Sequence, residues 1–291
     1  MSKATATVTI TSSTLSQTYN GSARTVTATT SPSGLTVNIT YAGSGTAPTN
    51  AGSYAIVATI NDANYQGSAS GTLVVAKAAA TVTITSSTLS QTYDGTSRVV
   101  TATSSPSGLT IDITYAGSSS APTNAGSYAI VATINDTNYQ GSSSGTLVVG
   151  KATATVTITS STLSQTYNGS ARTVSATTSP SGLTVTFTYA GSGTAPTNAG
   201  SYAIVATIND TNYQGSSSGT LVVGKATATV TITSSTLSQT YNGSARTVTA
   251  TSSPSGLTID ITYDGNSSAP TNAGSYAIVA TINNSLSLIH I

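Results

Sequence analysis

The 291-residue chain is only 5% charged and carries a formal net charge of +1. It therefore offers no basic patch for nucleic acid and no field to steer an acidic substrate. It has no cysteine, which excludes disulfide staples, thiol chemistry and cysteine-based zinc sites. No apolar run approaches the roughly 20 residues of a membrane-spanning helix.

Met1 and Ser2 run straight into a unit that opens at Lys3 and reopens, without insertion or deletion, at Lys77, Lys151 and Lys225. In the first copy, Thr7–Thr11 alternates threonine with Val8 and Ile10, the period-two pattern of a strand. Leu15 to Tyr19 is a second extended piece, closed by the hairpin signal Asn20-Gly21. Arg24–Thr30, carrying Val26 and Ala28, is a weaker strand, and Ser31-Pro32-Ser33-Gly34 is a turn. Leu35 to Tyr41 alternates again. Ala42–Thr46 is a glycine-serine loop, 61–71 is a loop holding Tyr65 and Gly67, and Leu73-Val74-Val75 closes the unit.

Between those loops lies the stretch that recurs letter for letter, APTNAGSYAIVATIN, at Ala47–Asn61, Ala121–Asn135, Ala195–Asn209 and Ala269–Asn283. Pro48, Asn50 and Gly52 form a turn. Tyr54, Ile56, Ala58 and Ile60 then share one face of a strand, with Ala55, Val57 and Thr59 on the other. The spacing of Gly52, Tyr54 and Ile56 resembles the Asp-x-Gly-x-Tyr-x-Cys corner of immunoglobulin-type sandwiches, in which the tyrosine hydroxyl ties the corner and the cysteine enters the core; here Asn50 takes the aspartate's place and Ile56 the cysteine's. Tyr54, Tyr128, Tyr202 and Tyr276 are the expected corner residues.

Apolar spacing of helical period is absent over any useful length and β-branched residues abound, so the fold class is all-β. The expected architecture is a beads-on-a-string array of tandem immunoglobulin-like β-sandwich modules, with β-grasp-like modules as the alternative. The expected modules are 3–76, 77–150, 151–224 and a truncated 225–283. Junctions such as Ala76-Lys77-Ala78 leave little linker, which restricts motion between neighbours. The segment 284–291 departs from the repeat, and its Leu-Ser-Leu-Ile-His-Ile reads as a sequencing-adapter artefact. The native amino terminus, with the signal of a secreted protein, is expected upstream of Met1.

The Tyr-Asn/Asp-Gly near the start of each unit, the Ser-Pro-Ser-Gly-Leu-Thr, the Ala-Gly-Ser-Tyr and the Asn-Tyr-Gln-Gly-Ser with Gly-Thr-Leu-Val-Val resemble the MBG or YDG type of tandem repeat. Such repeats occur in bacterial extracellular surface proteins and adhesins, and the resemblance covers residues 3–283. It implies no catalytic residues, a cell-surface or secreted location, and a spacer or adhesive role.

The residues themselves agree in offering little chemistry. A serine nucleophile needs a base, and the one histidine, His290, sits in the aberrant tail. The first copy holds a single acid, Asp62, so paired-carboxylate catalysis has no partner there. Asn61, Asp62 and Asn64 are too poor in charge for calcium and read instead as an Asx turn. Lys77 lies in an exposed-looking junction, against the buried lysine of an isopeptide crosslink. No enzyme, cofactor or metal is expected, and the chain is expected to be monomeric. The route to a partner is aromatic: Tyr65, Tyr139 and Tyr213, read as loop residues, are the candidate contacts for a glycan or a host surface protein.

Overall fold

Alternating apolar residues become strands throughout the chain, in a computed structural model that describes residues 1–283 and the backbone of Leu288–His290. The first copy contains β1 (Ala4–Thr5), β2 (Thr7–Ile10), β3 (Ser16–Thr18), β4 (Ala28–Ser31), β5 (Val37–Tyr41), β6 (Gly52–Ile60), β7 (Tyr65–Gln66) and β8 (Ser68–Ala76). Strands equivalent to these eight recur in the second and third copies. The described residues contain no α-helix, only one 3-10 turn per copy, at Ser12–Thr14 in the first. A β-grasp module would need a helix for its sheet to hold, so the sandwich and not the β-grasp alternative accounts for the fold.

Each complete copy is built from a four-stranded sheet, ordered β3-β8-β6-β5, and a two-stranded antiparallel β2-β4 sheet, whose β2 packs on β6 and β8. β5-β6 and β6-β8 are antiparallel, whereas β3 runs parallel to β8. A short parallel pair, β1-β7, sits beside them. The shared face of β6 points inward as its alternation requires: Ile56, Ala58 and Ile60 are buried, and Val57 between them is 43% exposed. Ile56, Leu73, Val75, Val26 and Tyr41 form one half of the core, and Ala6, Val8, Ala58 and Ile60 the other.

Two expected segments differ. The strand over 24–30 is reduced to Ala28–Ser31, because the preceding amides take partners outside any ladder. Arg24 donates to the Pro48 carbonyl, Val26 to the Tyr41 hydroxyl and Thr27 to the Thr14 hydroxyl. The loop over 61–71 is largely strand: Tyr65–Gln66 pairs with Ala4–Thr5, and β8 begins at Ser68. Tyr65 is therefore half-buried on a strand, packed against the Ala6 half of the core, and is not presented on an open loop.

The chain divides into two units, residues 1–151 and 152–291, each holding two copies of the repeat. In the second unit, the fourth copy keeps Ala226–Ile232, Ala250–Ser253, Ile259–Tyr263 and Ile278–Ile282 as strands. The positions equivalent to β3 and to the first half of β6 are not strands there. The backbone of Leu288–His290 runs parallel to Ala226–Ala228, as β7 does to β1. The rest of the aberrant tail, 284–287 and Ile291, lies outside the described residues.

Candidate functional site

The turn before β6 positions the corner tyrosines. The Tyr54 hydroxyl donates to the Asn50 carbonyl at 2.9 Å, and Tyr128, Tyr202 and Tyr276 donate equivalently to Asn124, Asn198 and Asn272 at 2.9, 3.0 and 3.1 Å. In the fourth copy this bond is made although Gly274 to Ala277 are not in a strand. The corner is thus a local device, closed within four residues and independent of sheet pairing.

The second set of tyrosines is placed by an Asx turn. The Asp62 carboxylate accepts from the Asn64 and Tyr65 amides at 2.7 and 3.0 Å, and Asp136 does the same for Asn138 and Tyr139 at 2.7 and 2.9 Å. The Lys3 and Lys77 ammonium groups donate to the backbone carbonyls of Asp62 and Asp136. These lysines therefore hold the turn and touch no asparagine side chain in these bonds. No group of three His, Asp or Glu residues able to hold a metal occurs among the described residues.

Within the first unit this turn meets the neighbouring copy. The Asn138 side-chain amide donates to the Asn50 side-chain oxygen at 3.2 Å, while its own oxygen accepts from the Ala51 amide at 2.8 Å. The Tyr139 ring stands edge-on to Tyr19, with centroids 5.3 Å apart and planes at 78°. Such a pair contributes about 0.5–1.5 kcal/mol beyond its buried area. Only Lys77 separates β8 from the next strand, Ala78–Ala79, which itself pairs with Tyr139–Gln140. Tyr139, expected as a ligand contact, is thus engaged between two copies. Sequence reasoning missed Asn138; its only signal was an asparagine repeated beside each of these tyrosines.

The second copy carries an ion pair. Asp94 replaces the asparagine found at 20, 168 and 242, and accepts from Arg98 at 2.6 Å. Hydrogen bonds from the Thr96 hydroxyl and amide, assisted by the Arg98 guanidinium, hold its carboxyl below the usual carboxylate range.

A family model described as the MBG domain matches residues 6–79, 80–153, 154–227 and 228–286. No curated protein matches the chain. Among solved structures, the chain is similar to an ICAM-5 D1–D4 ectodomain fragment at 11% identity and a TM-score of 0.34, covering 94% of this chain and 90% of that one. It is also similar to the eight N-terminal Ig domains of DSCAM isoform 1.30.30, at 14% identity and a TM-score of 0.21, covering 96% and 54%. The four N-terminal Ig domains of Dscam1 isoform 9.44 give 13% and 0.20, covering 94% and 96%.

Proposed function

The chain belongs to the MBG domain family, and on that premise we propose that it is a non-enzymatic spacer of a bacterial cell-surface or secreted protein, holding another domain at a distance. Its working units are the modules 3–76, 77–150, 151–224 and the shortened 225–283, with the corner tyrosines 54, 128, 202 and 276 fixing each entry into the long strand. One observation supports the reading above others: the junction between the first two copies is bonded through Asn138, Asn50, Ala51, Tyr19 and Tyr139. A tether meant only to be flexible needs none of these contacts, whereas a spacer that must keep its reach does.

A second reading draws on the half-buried rings of Tyr65, Tyr139 and Tyr213, repeated at equal intervals. An array of weak aromatic contacts to a glycan or host surface protein would gain by avidity. The whole chain, tested on a glycan array and against mucin, is expected to bind nothing reproducibly. Binding that disappears when Tyr65, Tyr139 and Tyr213 are all changed to alanine would overturn the spacer reading and establish the adhesive one.

A further inference from the structure

Each copy carries a short turn on the pattern Tyr-Asn/Asp-Gly-Ser/Thr-x-Arg, at 19–24, 93–98, 167–172 and 241–246. In three copies its second residue is an asparagine followed by glycine: Asn20, Asn168 and Asn242. These asparagines are exposed, as is the glycine after each. Their side-chain oxygens accept from the amides of Ser22, Ser170 and Ser244 at 3.0, 3.0 and 3.1 Å. That bond folds each side chain back over the intervening glycine. Gly21 takes a φ of 83°, and a Cβ built on it would meet nothing within 4 Å. No methyl group and no neighbour therefore crowds the Gly21 nitrogen.

The second copy has the same turn with a carboxylate in place of the amide. Asp94 Oδ1 accepts from the Thr96 amide at 2.9 Å and from the Thr96 hydroxyl at 2.6 Å, and Oδ2 accepts from Arg98 at 2.6 Å. The arginine is tethered alike in every copy. The amides of Arg24, Arg98, Arg172 and Arg246 donate to the carbonyls of Pro48, Pro122, Pro196 and Pro270 at 2.8, 2.8, 2.8 and 2.9 Å. All four arginines are half-buried. The second copy thus shows the turn closed on an aspartate, with a cation four residues on to receive it.

We infer that Asn20, Asn168 and Asn242 are sites of spontaneous deamidation, and that the aspartate formed at each is received by Arg24, Arg172 or Arg246 as Asp94 is by Arg98. The Gly21 amide gives its proton to solvent base, and its nitrogen adds to Asn20 Cγ. The charge that develops on Oδ1 meets the Ser22 N–H that already points at it, the stabilisation an oxyanion hole supplies. The Cγ–Nδ2 bond then breaks and ammonia leaves, taking up a proton, so that a succinimide ring remains. Water opens the ring at Cγ to give aspartate, or at the main-chain carbonyl carbon to give isoaspartate. One asparagine and one water become one carboxylic acid and one ammonia, with nothing oxidised or reduced. Each conversion adds a negative charge, so conversion at all three sites reverses the sign of the chain's +1.

The test incubates the full chain in mildly alkaline buffer and maps its peptides by mass spectrometry over time, with Asn20→Asp as the reference product. Asn20 and Asn168 are expected to convert at least about tenfold faster than Asn38, Asn50 and Asn64, which are followed by Ile39, Ala51 and Tyr65. Asn20→Gln should stop conversion at that turn and leave Asn168 converting as before. Pairing is read by NMR. The new carboxyl of the Asn20→Asp chain should titrate at lower pH than it does with Arg24→Gln added. High salt, which screens the pair, should raise its titration and gives the same information should the double variant fail to fold. Conversion confined to denatured chain, or no faster at Asn20 and Asn168 than at the other three asparagines, would overturn the deamidation. A carboxyl indifferent to both Arg24 and salt would overturn its reception by the arginine.

Discussion

The Tyr41 hydroxyl accepts a hydrogen bond from the Val26 amide at 2.9 Å, inside the core of the first copy. The same bond joins Tyr115 to Val100, Tyr189 to Val174 and Tyr263 to Val248, at 2.9, 3.2 and 2.8 Å. It lets the chain from Arg24 to Thr27 lie against the core without a strand partner. Tyr115→Phe would leave the buried Val100 amide without its acceptor, at a cost of about 1–3 kcal/mol. Hydrogen exchange of core amides in the second copy should show that loss, with the third copy unchanged as internal reference.

The two faces of the long strand should respond oppositely to truncation. Ile56→Ala removes a wholly buried side chain and is expected to cost about 2–5 kcal/mol. Val57→Ala alters a side chain that is 43% exposed and should stay within about 0.5 kcal/mol. Denaturant melts of the two variants decide the matter, since equal effects would mean that the strand's faces are not distinguished energetically.

Gly67 separates β7 from β8 at a point of close backbone approach. A Cβ there would overlap the Ala6 carbonyl oxygen, and Gly141 and Gly215 stand in the same relation to Ala80 and Ala154. The obstacle is main chain, which cannot rotate away. Gly67→Ala should therefore cost about 1–3 kcal/mol through overpacking, read as a lower melting temperature of the first copy.

Acid should affect the second copy differently from its neighbours. Asp94 has its carboxyl held below the usual carboxylate range by Thr96 and then by Arg98. A lowered folded-state pKa gives stability that is present above the unfolded-state value and lost as pH falls through the lower, folded-state one. Asp94→Asn should thus reduce the second copy's stability at neutral pH, and the difference from the unchanged chain should vanish in strong acid. The third copy, with Asn168, should show no such pH-dependent difference.

The fourth copy should be the least protected. Among the described residues no closing strand pairs with its long strand, which is expected to exchange faster at 276–282 than the equivalent 202–208 of the third copy. Open edges and exposed apolar contacts both favour local opening. Equal protection in the two segments would show that the fourth copy does not need that strand.

Much of the fold was legible because it rests on short-range alternation. The inward face of Ile56, Ala58 and Ile60, the turn at Pro48 to Gly52 and the Asx turn at Asp62 are all set by residues within a few positions of one another. The Val26 segment was misread as strand because its partners, the Tyr41 and Thr14 hydroxyls, are chosen by tertiary packing. Tyr65 was read as a loop residue because its pairing partner, Ala4, lies some sixty positions earlier and only two residues wide, too little for periodicity to register. Asn138 was missed for a related reason: its role appears only when another copy supplies Asn50 and Ala51.

The parallel pairing of β3 with β8 has a mechanical consequence. β1 runs beside β7 and β3 beside β8, each pair in one direction, so the entering and leaving chains travel alongside one another through the copy. Pulling a copy by its two ends draws these neighbours past each other along their length. The ladder bonds between them are then loaded together in shear, instead of opening one after another as in an antiparallel hairpin pulled from its open end.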